Sequence, residues 1–317
     1  MSLPLSIVVV SYDMARELPR TLRSLGADYQ RGLESGEYEV LVVDNGSPSP
    51  VEDVLPPSLR EGLRVVRIDP APQSPAHAAN VGIGLAHGEL VGLIVDGARM
   101  ASPGLLSHAL AARRLYARPV VATPGYHLGE VRHTDAAVAG DVREREDRLL
   151  EATDWGADGY RLFAVSTLAN SSARGWFGPM GESSALFLPA GLWKELGGLD
   201  EAFALPGGGL VNHDLYRRAC SLPDTELVVL LGEGTFHQFH GGAATGRRVG
   251  WEEMQDDYES HRGRRYRPPT NDPTYLGHVP PTAFGHLTES VRLAEVRATR
   301  RSGVDTEHDT ASIRLSE

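Results

Sequence analysis

Hydrophobic positions along this chain fall into short continuous runs that alternate with helically spaced ones. That is the pattern of a mostly parallel α/β sheet flanked by helices. Residues 6–10 (SIVVV) form the first run and end on Ser11-Tyr12-Asp13. Met14, Leu18, Leu22 and Leu25 then recur at helical spacing, with Pro19 placing the regular helix near Leu18. Residues 40–43 (VLVV) make a second strand that stops on Asp44-Asn45-Gly46-Ser47, and 63–68 a third that ends at Asp69. A helix over 76–87 carries Asn80, and a fourth strand over 90–95 ends on Asp96. A helix following Pro103 leads to a short strand at 120–122. The pattern then weakens between 125 and 172, where 141–151 reads as a solvated helix. Later come a strand at 184–188, a helix at 189–196, a glycine-rich loop at 206–209 and a helix from Leu215. The last strong strand, 227–231, leads into Thr235-Phe236-His237-Gln238-Phe239-His240. Beyond Trp251 an acidic-then-basic helix precedes a Pro-rich segment, and the polar residues after Arg301 are expected to be disordered.

Parallel strands deliver their carboxyl ends to one edge, where open α/β sheets build a ligand crevice. Asp13, Asp44, Asp69 and Asp96 are therefore expected on that edge. Each could instead cap a helix or turn, but Asp44 and Asp96 follow fully apolar strands that lead directly to the crevice. The loop after the first strand has no glycine and no lysine. It cannot be the phosphate cradle of a dinucleotide fold, so side chains must hold the ligand.

Composition narrows the chemistry. The 317 residues are 41% hydrophobic and 23% charged, ordinary for a globular protein, and long enough for one large α/β domain with an appendage. The formal charge of −11 argues against broad nucleic-acid binding. An acidic chain that binds phosphate needs local compensation, from arginine, a helix N-terminus or a divalent cation, since Lys194 is its one lysine. A single cysteine, Cys220, excludes an internal disulfide framework and suits a reducing compartment. With no long apolar run or signal-like start, a cytoplasmic location is expected. No Gly-x-Ser-x-Gly elbow, Walker loop or cysteine pair appears.

Asp96 could place a carboxylate on a divalent cation, and His237 or His240 could add an imidazole; such mixed ligation suits Mn²⁺ or Mg²⁺ with phosphate oxygens. The two histidines are spaced i, i+3, which in an extended segment would turn them to opposite sides, so one ligand is expected from the pair. Asp214, opening a helix after the glycine-rich loop, could be a general base or a plain cap. His213 beside it could do the same work, and Glu182 is a further acid/base candidate. Trp155, Trp176 and Trp193 read as core residues, although the glycines around Trp176 would also suit a sugar-stacking platform.

The ordered set SIVVVSYDMARELPRTLRSL, EVLVVDNGS, AANVGIGLAHGEL, LIVDGA, GGLDEAF, NHDLYRRA and EGTFHQFHGG, over about residues 5–242, resembles the family 2 glycosyltransferases of the GT-A fold. The resemblance implies a nucleotide-sugar donor, a UDP-sugar first of all. Ser11, Tyr12, Asp13, Asp44 and Asn80 would surround the nucleotide, and Asp96 would lie at the diphosphate and metal, completed by His237 or His240. It further implies inversion by direct displacement onto an acceptor hydroxyl of a carbohydrate or another molecule. The nucleotide half would span 1–125, the acceptor half 126–250, and a C-terminal helical extension with a polar tail 251–317; a homo-oligomer through that extension is conceivable. Two departures stand out. The family's Asp-x-Asp is reduced to Asp96-Gly97-Ala98, and its Glu-Asp-x-Asp-Leu pattern falls on Val211-Asn212-His213-Asp214-Leu215. The usual base position is thus Asn212, which cannot accept a proton, leaving Asp214.

Two other classes compete. A catalytically degenerate nucleotide-sugar or glycan-binding protein of the same fold would account for both departures. A sugar nucleotidyltransferase would need a Gly-rich basic loop after the first strand, which SYDMARELP does not supply.

Overall fold

The computed structural model of the chain describes residues 3–34, 36–133, 141–241 and 249–302. Strand β1 (Leu3–Ser11) is an interior strand of an eight-stranded sheet, buried along Leu5–Ser11. It pairs in parallel with β2 (Tyr38–Asp44) on one side and β4 (Gly88–Ile94) on the other, and β3 (Arg64–Arg67) extends the sheet beyond β2. Past β4 come β9 (Leu186–Pro189), β6 (Pro119–Ala122), β10 (Glu226–Leu231) and β12 (Thr274–Gly277). Only β9 among these runs antiparallel to its neighbours.

Strand alternation divides the core in two. Val8, Val10, Leu41 and Val43 point to one face of the sheet, and Ile7, Val9 and Val42 to the other. Helix α3 (Ala76–Leu85) packs on the first face with Gly82 against Val8 and Val43. Helices α1 (Leu18–Ser24) and α4 (Leu105–Leu115) close the second face with Leu18, Leu22, Leu105 and Leu106. A single turn, α2 (Val51–Val54), sits after β2.

The weakly patterned middle is not irregular. It supplies β7 (Gly125–Leu128) and β8 (Ser166–Leu168), which join β5 (Arg99–Ala101) and β11 (Thr235–His237) in a second sheet of order β5-β11-β7-β8. These strands are three or four residues long, too short for a periodic signal. Helix α5 (Val142–Thr153) is correctly placed, but it is not wholly solvated: Glu146 and Leu150 are buried. Helix α6 (Ala190–Leu196) follows as the sequence predicts, and α7 (Val211–Ser221) begins four residues before the expected Leu215, which puts Asp214 in its first turn.

The C-terminal segment is more than a helical extension. Helix α8 (Trp251–Arg262) and helix α9 (Phe284–Ser302) flank β12, which pairs in parallel with β10 as the edge strand of the main sheet. Residues 303–317, expected to be disordered, lie outside the described residues. No helix among the described residues is long and apolar enough to cross a membrane.

Candidate active site

A cavity of about 1590 Å³ opens at the carboxyl ends of the central strands. Ser11, Tyr12 and Asp13 reach it from the end of β1, Asp69 from beyond β3, and Asp96 from just beyond β4. Tyr12 is 54% exposed, while the Ser11 hydroxyl is buried and has no hydrogen-bond partner. Asp13 adopts a left-handed backbone (φ 53°), and its N–H donates to Ser47 Oγ at 2.9 Å, tying the first strand-end loop to the second.

Asp44 does not line the cavity. Its carboxylate is fully buried, accepts the Ser47 N–H at 2.8 Å and pairs with Arg67 at 2.6 Å. The expectation of four carboxylates in the crevice is therefore corrected to three; Asp44 shapes the loop that carries its neighbour Asn45. Asn45 is the residue that reaches the cavity, with its Oδ1 buried and unpartnered. Asn80 is likewise withdrawn. Its carboxamide bridges the Leu199 backbone N–H and C=O at 2.8 and 2.9 Å and reaches Glu201, holding α3 against the loop after α6.

Beyond β4, Asp96 Oδ2 lies 2.8 Å from His237 Nε2 and 3.2 Å from His240 Nε2, and the two nitrogens are 3.1 Å apart. Both histidines converge, contrary to the expectation that only one would. His237 ends β11, and the chain then turns because its backbone is clamped from several sides. The Gln238 N–H donates to Ala98 O at 2.9 Å and its carboxamide to Glu17 O at 3.0 Å. The Phe239 N–H donates to Glu146, Phe239 O accepts from Arg16, and His240 O accepts from Arg143. Glu146 and Arg143 belong to α5, so the helix read as solvated anchors the loop that presents His240.

The three ligand atoms form a near-equilateral triangle. Two adjacent ligands of an octahedral ion at 2.0–2.1 Å are about 3 Å apart, so the edges fit one face of such an ion, with the opposite face left for substrate oxygens. The donor set of two imidazoles and one carboxylate suits Mn²⁺ at least as well as Mg²⁺. The electrostatics of Asp96 and His237 also fit. Burial alone would raise the Asp96 carboxyl, but the two imidazoles hold it well below the usual carboxylate range. Burial pushes His237 down to about 4, against the pull of Asp96, so it presents a neutral nitrogen. His240 feels the same burial, but Asp96 outweighs it and raises the imidazole.

Behind His237, a second buried pair, His127 and His133, stacks at 4.3 Å between ring centroids. Burial holds both imidazoles neutral, with His133 down to about 3. The His133 N–H donates to His127 Nδ1 at 2.9 Å, which places the His127 proton on Nε2. This occupied Nδ1 makes His127 a poor metal ligand despite its proximity to His133 and His237. Arg99 and Arg174 also line the cavity, with no ion-pair partner among the described residues. They supply the local positive charge that the acidic composition demands. A lone arginine has no distinguishing sequence context.

On the opposite wall, Asp214 is turned away from the cavity. One arginine pair occupies both its oxygens: Arg218 Nε at 2.7 Å, and Arg262 Nε and Nη2 at 2.7 and 2.8 Å. Burial would raise its carboxyl, but these guanidinium groups lower it below the usual value. A carboxylate so occupied is a poor proton acceptor, which removes the reading of Asp214 as base. His213 and Glu182 do line the cavity, with His213 Nδ1 3.6 Å from Glu182 Oε2. Burial lowers the His213 pKa and Glu182 only partly opposes it, so the imidazole is neutral near pH 7. Trp155, Trp176 and Trp193 are all core residues; the exposed indole in the cavity is Trp251.

Neither a protein-family model nor a curated protein matches this sequence. Solved structures do. S. aureus TarS aligns with a TM-score of 0.52 at 13% identity, over 83% of this chain and 43% of that one. Residues 1–349 of TarS in complex with UDP-GlcNAc give a TM-score of 0.53 at 12% identity, over 95% and 74% of the two chains. The UDP complex gives 0.51 at 11% identity with the same coverage. The fold is GT-A. The chain spans under half the length of the longer TarS structure.

Proposed function

We propose that this protein is a metal-dependent, inverting glycosyltransferase of family 2 that takes a UDP-sugar. The Asp96–His237–His240 triangle carries this reading. It sits in the same cavity as the Ser11–Asp13 loop, so a nucleoside diphosphate could span from one to the other. The binding of UDP and UDP-GlcNAc by the TarS structures of the same fold supports a uridine donor. A divalent cation held by the triangle would offset the charge that builds on the leaving diphosphate. Arg99 and Arg174 add fixed positive charge to the same cavity.

On the acceptor side, neutral His213 takes the base role that Asn212 cannot fill and that Asp214 is too constrained to fill. It would remove the acceptor hydroxyl proton at one ring nitrogen, with the Glu182 carboxylate stabilising the imidazolium formed. The attacking oxygen displaces the diphosphate from the opposite face of the sugar, which inverts the anomeric carbon.

Thermal shift and calorimetry with UDP, with and without Mn²⁺, test the donor site. Mn²⁺ is expected to tighten UDP binding, and Asp96→Asn or His240→Ala to weaken the metal-linked part by about 10- to 100-fold. UDP binding indifferent to Mn²⁺ in the wild type would refute the metal site. With pooled UDP-sugars, His213→Asn is expected to lower kcat by about 10²–10⁴-fold while UDP affinity holds. Absence of transfer or hydrolysis by the wild type, alongside tight UDP binding, would favour the non-catalytic binding protein instead.

A further inference from the structure

The acceptor end of the cavity holds groups that neither the donor nor the metal uses. Trp251, the first residue of α8, lines the cavity and is 51% exposed, the most solvent-accessible indole among the described residues. An exposed tryptophan in a cavity wall costs apolar hydration that nothing in the fold recovers. Its ring lies 6.1 Å from that of His213 at an interplanar angle of 61°, and the His213 ring also meets Tyr266 edge-on at 5.1 Å. The Tyr266 hydroxyl is spent on Gly181 O at 2.5 Å, so this pair fixes the imidazole and leaves the indole face open.

The polar groups beside this face are mostly acceptors. Asn212 Oδ1 and His213 Nδ1 are both buried without a hydrogen-bond partner, and both residues line the cavity. The Glu182 carboxylate is 3.6 Å from His213 Nδ1. Buried polar atoms without partners are rare and costly; His213 Nδ1 faces Glu182, so the Asn212 oxygen marks the place where a ligand supplies the missing hydrogen bond. The ligand must bring donors to meet an amide oxygen and a carboxylate. It must also bring an apolar face for the indole, and a neutral ligand meets Glu182 without repulsion.

We infer that Trp251, Asn212, His213 and Glu182 form an acceptor subsite for an uncharged pyranose ring. Its C–H face stacks on the indole, and its hydroxyl groups donate to Asn212 Oδ1 and Glu182. An amphipathic sugar ring has both surfaces on one rigid body, whereas a polyol phosphate has neither the flat face nor the neutral charge. The inference rests on the transferase reading for its name of acceptor, but the subsite itself stands on these four side chains.

The test is glycan binding measured apart from transfer. The full chain is applied to an array of neutral and anionic pyranosides and polyol phosphates, and UDP binding with Mn²⁺ is measured in parallel by thermal shift. Selective retention on neutral pyranosides is expected. Trp251→Ala should weaken it at least tenfold, Trp251→Phe less, and both should leave the UDP-induced shift unchanged. Preference for polyol phosphates or for acidic sugars overturns the inference, as does retention that Trp251→Ala does not alter. Binding of neutral glycans without any UDP shift keeps the subsite and overturns the transferase reading. A UDP shift with no glycan retained does the reverse.

Discussion

At the residue scale, the carboxylates and histidines singled out by position divide by what else competes for them. Asp96 is free to face His237 and His240, because Arg99, three residues on, makes no ion pair with it among the described residues. Asp44 and Asp214 each meet a guanidinium within 2.7 Å and become structural. Nothing in the local sequence of Asp214 reveals this: Arg218 is at the common i+4 spacing, but Arg262 arrives from α8, 48 residues away. Asp214→Asn should therefore act on stability and not first on turnover. Breaking a buried, doubly paired carboxylate is expected to cost about 2–4 kcal/mol, read as a lower urea midpoint near neutral pH. The folded-state pKa of Asp214 lies below its unfolded value, so its stabilisation is present above about pH 4 and fades as pH falls through the lower folded value. The wild type should thus lose part of its advantage over Asp214→Asn as the denaturation midpoints are followed below pH 4. A gap that held constant down to pH 2 would contradict the ion-pair account.

At the element scale, the main-sheet strands over residues 3–122 were legible because β1, β2 and β4 are buried on both faces and read as unbroken apolar runs. The second sheet was not, since β5, β8 and β11 have three residues each. The same close packing puts a strict limit on α3. A Cβ at Gly82 would sit 2.4 Å from Val8 Cγ1 and 2.8 Å from Val43 Cγ2, both fixed in the sheet. Gly82→Ala gains helix propensity but must push α3 off the sheet, so a net loss of about 1–3 kcal/mol is expected in chemical denaturation. Stabilisation by the alanine would show that α3 floats on the sheet instead of packing into it.

At the scale of the whole molecule, the C-terminal segment is integral to the fold. It covers the edge of β10 with β12, brings Arg262 to Asp214 and Asp200, and places Trp251 in the cavity wall. Through Ser290, which accepts the Trp176 N–H, α9 also fastens the loop before β9. A chain ending at residue 267 keeps Trp251 and Arg262 but bares the β10 edge and the apolar surface under α9. It is expected to melt well below the full chain and to aggregate on heating, as read by calorimetry and light scattering. Equal melting temperatures would mean that the segment beyond 267 is an appendage after all.

The sequence by itself determined the β-α-β framework, its order along the chain, the lack of a glycine phosphate loop and the strand-end position of Asp96. These follow from local hydrophobic periodicity and from the rule that parallel strands share one carboxyl edge. Tertiary structure alone decided which polar groups face the cavity. The turn after His237 depends on Glu17, Ala98, Arg16, Arg143 and Glu146, drawn from three distant parts of the chain. The fates of Asp44 and Asp214 depend on arginines whose placement follows from packing of whole elements. A side chain's availability for chemistry is set by its competitors, and competitors are brought together by the fold and not by spacing along the chain.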